Sequence, residues 1–381
     1  MAKKKIALLG STGTIGENTL ALVEAFSDKY EVVCLAAHSS GDKLIAQAKI
    51  FNPAYVSVGK GAFDQVKESL PNTKVGMGDD FLTEALAASD IVVVGIVGFA
   101  ALMPTLNAVR LGKTIAIANK ESLVVSGKLI VSEAARCGAK LLPVDSEHNA
   151  LFQILEGVNR SQVDALILTA SGGPLLRRPE LPLEEVTPAI AVKHPNWKMG
   201  PKISVDSATL MNKGLELIEA HFLFGVEEKR LEVWVHPQSI VHGAALLTDG
   251  SILAHLSRPD MKLSIGYAME YPDRLPNPVP RLKLSELSRL EFLEPDLVRF
   301  PCLRLARQAL QAGTASLIAL NAANEIAVHA FLDSKILFPQ IPQLIESTLA
   351  RSWSVSETDL QAMIALDAEA RRVAIDLTLR N

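Results

Sequence analysis

The fold is decided near the start of the chain by Lys5-Ile6-Ala7-Leu8-Leu9-Gly10-Ser11-Thr12-Gly13-Thr14-Ile15-Gly16. The apolar run predicts a buried strand, and the small residues after it predict a tight turn into a helix over Glu17–Phe26. Backbone in such a turn can approach a pyrophosphate, and the helix N-terminus offers free N–H groups. The GxxGxxG spacing is looser than GxGxxG, and a purely structural turn is the alternative. Its place at the first strand–helix turn favours a dinucleotide site.

Apolar runs alternate with amphipathic stretches over the first 145 residues. Candidate helices include Glu17–Phe26, Leu44–Ile50 and Ser122–Cys137, and the candidate strands are Lys5–Leu9, Glu31–Ala36, Ala54–Val58, Ile91–Val97, Thr114–Ala118 and Lys140–Val144. Nearly continuous apolar runs are typical of strands that are buried on both faces of a parallel sheet. The alternation therefore predicts an α/β chain whose residues 1–145 form a doubly wound, Rossmann-like parallel sheet and a dinucleotide-binding domain.

The pattern changes after Asp145. A helix over Asn149–Glu156 and a strand over Asp164–Thr169 precede a stretch with six prolines between Pro174 and Pro201, which predicts a long interrupted loop. A helix is expected at about 208–224, followed by strands over 231–235, 240–247 and 251–257, the last two joined by a hairpin turn at 248–250. We expect a central α/β domain over 146–271 with a lid at about 186–201, a linker over 272–300 and a C-terminal helical bundle over 301–381.

Composition excludes several classes of protein. A net charge of −4 argues against a nucleic-acid partner. Ile6–Leu9 is too short for a secretory segment, which needs roughly 7–15 apolar residues, and no run approaches the roughly 18 of a membrane span. The three cysteines are far apart and imply no disulfide framework. We expect a soluble cytoplasmic protein with no membrane partner.

The end of the second strand bears on the choice of cofactor. An NAD enzyme would place an acidic residue there to bind the ribose hydroxyls. This chain instead reads Ala37-His38-Ser39-Ser40, which can receive a 2′-phosphate. The pattern favours NADP, and a plain polar turn is the alternative.

Two groups of polar residues suggest chemistry. Asp145 and Glu147 flank Ser146 at the carboxyl edge of the predicted sheet, where a cation would relieve the repulsion between their carboxylates. Without a third ligand, the pair is more typical of helix capping. Asn212, Lys213 and Glu216 share one helix face and could serve a phosphorylated, metal-chelated substrate or form a solvated ion pair. Gly214 inside that helix indicates a close approach of another element.

Six collinear motifs resemble one family over essentially the whole chain. They are Gly-Ser-Thr-Gly-Thr-Ile-Gly at 10–16, Ala-Asn-Lys-Glu-Ser at 118–122, Pro-Val-Asp-Ser-Glu-His at 143–148, Thr-Ala-Ser-Gly-Gly-Pro at 169–174, His-Pro-Asn-Trp-Lys-Met-Gly at 194–200 and Asp-Ser-Ala-Thr-Leu-Met-Asn-Lys-Gly-Leu-Glu at 206–216. Together they resemble the 1-deoxy-D-xylulose 5-phosphate reductoisomerase family.

The resemblance implies a role for each matching residue. It implies Asp145, Glu147 and Glu216 as ligands of Mg²⁺ or Mn²⁺, with Co²⁺ as a further candidate, and oxygen ligands suit such hard cations. It implies that the phosphorylated sugar substrate is bound by Lys120, Ser146, Glu147, Ser171, His194, Trp197, Ser207, Asn212, Lys213 and Glu216. The resemblance also implies catalytic roles for Lys120, Asp145, Glu147, Glu216 and His194. NADPH is expected beside Thr12, Gly13, Thr14, Ile15, Ala37, His38, Ser39, Asn119, Glu121 and Gly200.

The implied reaction rearranges 1-deoxy-D-xylulose 5-phosphate and reduces the product with NADPH to 2-C-methyl-D-erythritol 4-phosphate, in non-mevalonate isoprenoid biosynthesis. Many members of the family carry Gly-Arg/Lys-Asn where this chain has Ala37-His38-Ser39, so a fixed positive charge is missing there. The resemblance and the apolar strands over 231–257 predict a homodimer. The alternatives are a different NADP-linked dehydrogenase and a dinucleotide-sensing regulator, which would be expected to lose one of Lys120, Asp145, Glu147 or Glu216.

Overall fold

The computed structural model describes residues 2–197, 199–276 and 278–379. These residues form two compact units, and each unit contains one β-sheet. The first unit comprises Met1–Ser122, Ile130–Asn149 and Asp260–Pro280. The second comprises Leu123–Leu129, Ala150–Pro259 and Arg281–Asn381.

The sheet of the first unit has seven strands, all parallel to their neighbours. They are β1 (Lys4–Leu9), β2 (Tyr30–Ala37), β3 (Tyr55–Val58), β4 (Lys74–Gly76), β5 (Ile91–Val94), β6 (Thr114–Ile117) and β7 (Lys140–Pro143). Their order is β4-β3-β2-β1-β5-β6-β7, so the direction of winding reverses beside β1. The prediction of a doubly wound parallel sheet is confirmed.

Helices follow most of these strands, as the alternating pattern predicts. They are α1 (Thr14–Ala25), α2 (Gly41–Phe51), α3 (Phe63–Ser69), α4 (Asp79–Ala87), α5 (Leu102–Arg110) and α6 (Lys120–Cys137). Ile6–Leu9 and Ile91–Val94 are buried along their whole length, because helices cover both faces of a doubly wound sheet. The short strand β4 was not predicted, since three residues are too few to show an apolar period.

The rest of the chain continues in the order α7 (Ser146–Glu156), β8 (Val163–Ala170), α8 (Pro188–Ala191), α9 (Pro201–Ala208), α10 (Met211–Phe224), β9 (Leu231–Val235), β10 (Val241–Leu247), β11 (Ile252–Leu256), α11 (Met261–Glu270), α12 (Cys302–Ala312), α13 (Thr314–Leu332), α14 (Gln340–Leu349) and α15 (Leu360–Thr378). The second sheet has the order β11-β10-β8-β9, in which β8 and β9 are parallel and β10 is antiparallel to β8 and β11. The predicted hairpin between β10 and β11 is confirmed, and Gly250 provides the positive φ of its turn.

One predicted helix is wrong in its extent. The sequence predicted a single helix at about 208–224, but α9 ends at Ala208 and α10 begins at Met211. Leu210 between them has a φ of 61° and breaks the helix. Neither glycine nor proline marks this break, and for that reason the periodicity alone did not reveal it.

The predicted C-terminal helices are confirmed. α13 contacts α12, α14 and α15 in the second unit. Among the described residues it is the one helix that is long and apolar enough to cross a membrane, and 72% of its apolar window is buried inside the protein. Burial of this kind is what a core helix of a helical domain shows, and core helices meet the same length and composition test.

Glu270 joins three elements of the first unit. Its carboxylate on α11 accepts hydrogen bonds from Lys4 of β1, from Lys29 and from the buried Tyr30 hydroxyl of β2. Burial alone would raise the pKa of this carboxyl, but these donors outweigh it and lower the pKa to about 2.

We predict that Glu270→Gln lowers the free energy of unfolding of the first unit by about 1–2 kcal/mol at pH 7, since charge-assisted hydrogen bonds are lost. Because the folded pKa lies below the unfolded value of 4.5, this stabilisation is complete above pH 4.5 and is lost as the pH falls towards 2. Urea unfolding at several pH values checks this through tyrosine absorbance, because all four tyrosines lie in this unit.

The control is Glu84→Gln, which removes the exposed ion pair with Lys74. We expect no measurable change from it. Equal unfolding midpoints for wild type and Glu270→Gln at pH 7 would contradict the role of Glu270.

Candidate active site

The glycine-rich turn between β1 and α1 depends on two close backbone approaches. Gly10 has a φ of 82°, and a Cβ there would lie 2.6 Å from the carbonyl oxygen of Gly95. A Cβ on Gly16 would lie 2.2 Å from the carbonyl oxygen of Ser11. Gly13 is the N-cap of α1 and provides no side-chain cap for the first-turn N–H groups. Larger residues cannot form this turn, and its helix N-terminus suits an anionic ligand.

The predicted residues of the first unit follow the carboxyl ends of four strands of one parallel sheet, and they therefore lie at the same edge of it. Thr12–Ile15 follow β1, His38 and Ser39 follow β2, Asn119–Glu121 follow β6, and Asp145–Glu147 follow β7. Ala37 is the last residue of β2 itself.

Asn119 forms the start of α6. Its side-chain oxygen accepts the Ser122 N–H at 2.8 Å as an N-cap, and its amide donates to Glu121 at 2.8 Å and to the Ile96 carbonyl at 2.9 Å. These bonds fix the side chain on both sides, so the first turn of α6 has a defined orientation at the edge of the sheet.

Lys120 and Asp145 form an ion pair at this edge, with side-chain exposures of 7% and 15%. His148 lies one turn along α7 with its Nδ1 at 3.8 Å from Asp145, and Ser146 donates a hydrogen bond of 2.6 Å to Glu147. The two acidic residues therefore do more than cap a helix, since one is paired with a largely buried ammonium. Their oxygens, with no sulfur among them, are donors that suit a hard divalent cation.

The second unit holds a compact polar group on α10. Glu216 accepts hydrogen bonds from Lys213 and Asn212, as the helical spacing predicts. The side chains of Lys213 and Glu216 are only 3% and 1% exposed. The alternative of a solvated ion pair is therefore excluded for these two residues. The close approach indicated by Gly214 is real, because a Cβ there would lie 2.5 Å from the Cβ of Ala306 on α12.

Ser171 lies after β8 and contacts His194. The Ser171 hydroxyl oxygen and His194 Nε2 are 2.7 Å apart, and Nδ1 of the same ring accepts the N–H groups of Asn196 and Trp197. These two acceptor bonds assign the ring proton to Nε2, which then donates to Ser171. The Gly173 N–H also donates to this oxygen, at 3.2 Å. Because the oxygen accepts two bonds, the hydroxyl proton is available to an anion.

The backbone of Ser207 lies close to Gly173, in the loop after β8. Gly173 has a φ of 69°, and a Cβ there would lie 2.8 Å from the Ser207 carbonyl oxygen. The loop that carries Ser171 therefore passes close to the backbone of Ser207 at Gly173. Gly200 is the N-cap of α9, and Trp197 is half-buried with its ring 6.3 Å from that of His242.

A buried network that the sequence pattern did not reveal surrounds Asp206, the neighbour of Ser207 in the chain. Asp206 is 1% exposed and accepts 2.8 and 2.9 Å bonds from Lys202 and from Asn324 on α13. Asp206 is the first residue of the motif at 206–216, but the sequence did not predict a role for it. Asn324 is 118 residues away, and no local pattern could have linked the two residues.

Comparisons with known proteins find matches over nearly the whole chain. Residues 6–127 match the family model of 1-deoxy-D-xylulose 5-phosphate reductoisomerase, and residues 141–224 and 256–373 match two models of its C-terminal domains. The reductoisomerase of Thermomicrobium roseum is 48% identical over 98% of both chains, and that of Thermodesulfovibrio yellowstonii is 44% identical over 97% of this chain and 98% of its own.

Solved structures agree as well. A DOX-P reductoisomerase in complex with NADPH, fosmidomycin and magnesium has a TM-score of 0.95 and 40% identity, covering 98% of both chains. The Zymomonas mobilis reductoisomerase in complex with NADPH has a TM-score of 0.91 and 42% identity, covering 99% of both chains. The resemblance drawn from six sequence motifs is confirmed, and the chain belongs to the 1-deoxy-D-xylulose 5-phosphate reductoisomerase family.

Proposed function

We propose that this chain converts 1-deoxy-D-xylulose 5-phosphate to 2-C-methyl-D-erythritol 4-phosphate with NADPH and a divalent cation. The observation that carries the proposal is the buried Glu216 carboxylate, which accepts hydrogen bonds from Lys213 and Asn212. The chain also belongs to a family in which a solved member is in complex with NADPH and magnesium. A regulator that only senses a dinucleotide has no need of this group. None of the four residues that such a regulator would be expected to lose is missing.

The cation is assigned to Asp145, Glu147 and Glu216. All three offer carboxylate oxygens, the ligands preferred by Mg²⁺ and Mn²⁺. When bound, the cation polarises the carbonyl and hydroxyl oxygens of the substrate. Lys120 beside Asp145 balances the charge of that carboxylate and can donate to a substrate oxygen.

The phosphate of the substrate is assigned to Ser171, Ser207, Asn212 and Lys213, with His194 beside Ser171. Hydroxyls, an amide and an ammonium match the oxygens of a dianion. Contacts remote from the reacting carbons orient the substrate and hold it through the rearrangement. Ser146, at the start of α7, is assigned to the substrate hydroxyls.

NADPH is assigned to residues 1–145, with the pyrophosphate on Thr12–Ile15 at the N-terminus of α1 and the ribose at Ala37–Ser39. Asn119, Glu121 and Gly200 are assigned to positions beside the cofactor. NADPH supplies the hydride that reduces the rearranged aldehyde. The turn made by Gly10 and Gly16 supports this assignment, since it exposes backbone N–H groups to an anion.

We predict that Glu216→Gln lowers the turnover number at least about a hundredfold, the scale seen when a group that stabilises the transition state is removed. NADPH affinity should stay unchanged, because this carboxylate serves the cation and substrate. The measurement is NADPH oxidation with 1-deoxy-D-xylulose 5-phosphate and Mg²⁺, repeated with a chelator, together with NADPH binding.

Glu227→Gln, on an exposed ion pair with Lys229, is the control and should keep wild-type turnover. Turnover that survives in Glu216→Gln at limiting Mg²⁺ would contradict the metal assignment. Wild type that binds NADPH without turning over the substrate would identify a regulator instead.

A lid is assigned to about residues 186–201, of which Lys198 lies outside the described residues. Its prolines interrupt regular structure, leaving only the four-residue helix α8 before α9. His194 and Trp197 lie on it, and the Asn196 amide donates to the Pro237 carbonyl and the Ser239 hydroxyl in the connection between β9 and β10. The segment thus carries two residues assigned to the substrate, while Val186 and Ala191 anchor it in the hydrophobic core of the second unit.

We predict that NADPH and a phosphorylated substrate analogue slow hydrogen exchange in residues 186–201, because closure excludes water from the site. Trp197→Ala should raise KM for the substrate roughly tenfold, as the loss of about 1.4 kcal/mol of contact would. Trp353→Phe, in the connection between α14 and α15 of the same unit, is the control variant. Equal hydrogen exchange of residues 186–201 in the free and ternary states would show that this segment is a fixed structural element and not a lid.

The assembly is proposed to be a homodimer in the cytoplasm. β11 is an edge strand of the second sheet, and its Ile252, Leu253 and Leu256 side chains are 48%, 41% and 36% exposed. An exposed apolar edge strand requires a cover, and a second copy provides one. Three free cysteines suit a reducing compartment.

We predict that the wild-type chain sediments as a dimer and that Leu253→Lys shifts it towards monomer, because a charge would be buried at the interface. Analytical ultracentrifugation measures this. Val298→Lys, at a side chain that is 94% exposed and lies outside the strand, should leave the mass unchanged. A monomeric wild type, or a Leu253→Lys variant that remains a dimer, would contradict the role given to β11.

A further inference from the structure

The ends of β2 and β3 bring Gly59, the residue before Lys60, against His38. The two strands pair in parallel with Ala37 opposite Val58, so both chains leave the sheet at the same edge. The Gly59 N–H donates to the His38 carbonyl at 3.0 Å. A Cβ on Gly59 would lie 2.4 Å from that carbonyl oxygen and 2.8 Å from His38 Nδ1, so the imidazole lies against a position that only glycine fits. The next side chain is Lys60.

The charge of Lys60 is available at this edge. Its side chain is exposed, and within the described part of the chain no carboxylate forms an ion pair with it. The other lysine near the glycine-rich turn is engaged, since Lys43 donates to the Thr12 carbonyl and pairs with Glu17 at 2.5 Å. Asp42, the nearest acidic residue in sequence to His38, accepts a hydrogen bond from Gln65.

We propose that Lys60, together with His38, recognises the 2′-phosphate of NADPH and sets the preference for NADPH over NADH. The inference rests on the proposed function. In doubly wound folds the ribose of the adenosine lies at the end of the second strand, which here is β2. A phosphate dianion there needs a positive charge, and residues 37–39 include neither lysine nor arginine. The flexible stem of Lys60 can deliver one from the neighbouring strand.

The test measures dissociation constants for NADPH, NADH and adenosine 2′,5′-bisphosphate by calorimetry. Lys60→Ala should weaken NADPH and the bisphosphate roughly tenfold and leave NADH unchanged, because only the first two carry the 2′-phosphate. Lys60→Glu should weaken them further through repulsion. Adding His38→Lys to Lys60→Ala should restore NADPH binding, since the charge returns at the adjacent position.

Lys49→Ala is the matched control. This exposed lysine lies in the last turn of α2, away from the carboxyl edge of the sheet, and should leave all three constants unchanged. Equal losses for NADPH and NADH in Lys60→Ala, or no loss at all, would overturn the inference while the proposed function stands. Wild type that binds NADPH no better than NADH would also overturn it. Wild type that binds no NADPH would overturn both.

Discussion

Lys213 and Glu216 form an ion pair that is almost completely removed from water, with side-chain exposures of 3% and 1%. Either charge alone would cost several kcal/mol to bury, so neither can be in place without the other. Asn212 satisfies the second oxygen of the carboxylate. In the first unit, Lys120 and Asp145 repeat the arrangement with slightly greater exposure.

This pairing prepares each site for opposite charges. A buried ammonium next to a buried carboxylate is neutral as a pair, and it can receive an anion on one side and a cation on the other with little net change in charge. Hydrogen bonds among Lys213, Asn212 and Glu216 hold these groups in place, and polar groups that are held in place need little reorganisation on binding. A phosphorylated substrate with a divalent cation is the ligand that matches such pairs.

The helices and loops that carry these charged and polar side chains pack closely against their neighbours at glycine residues. Gly214 allows α10 to pack on α12, and Gly173 allows the loop after β8 to touch the end of α9. Asp206 and Asn324 then tie α9 to α13 through a buried hydrogen bond. The C-terminal helices therefore help to hold α9, the helix that carries Ser207.

Local patterns in the sequence were sufficient to predict the doubly wound sheet, the hairpin between β10 and β11, the terminal helices and the shared helix face of Asn212, Lys213 and Glu216. A strand buried on both faces and one turn of a helix each involve residues that are close in the chain, so local periodicity reveals them. The break at Leu210, the hydrogen bond between Asp206 and Asn324, and the contact of His38 with Gly59 arise instead from tertiary packing. Such contacts join residues that are distant in sequence, or impose a conformation that local preference opposes. These contacts depend on how the complete chain packs, and the spacing of residues in the sequence does not reveal that packing.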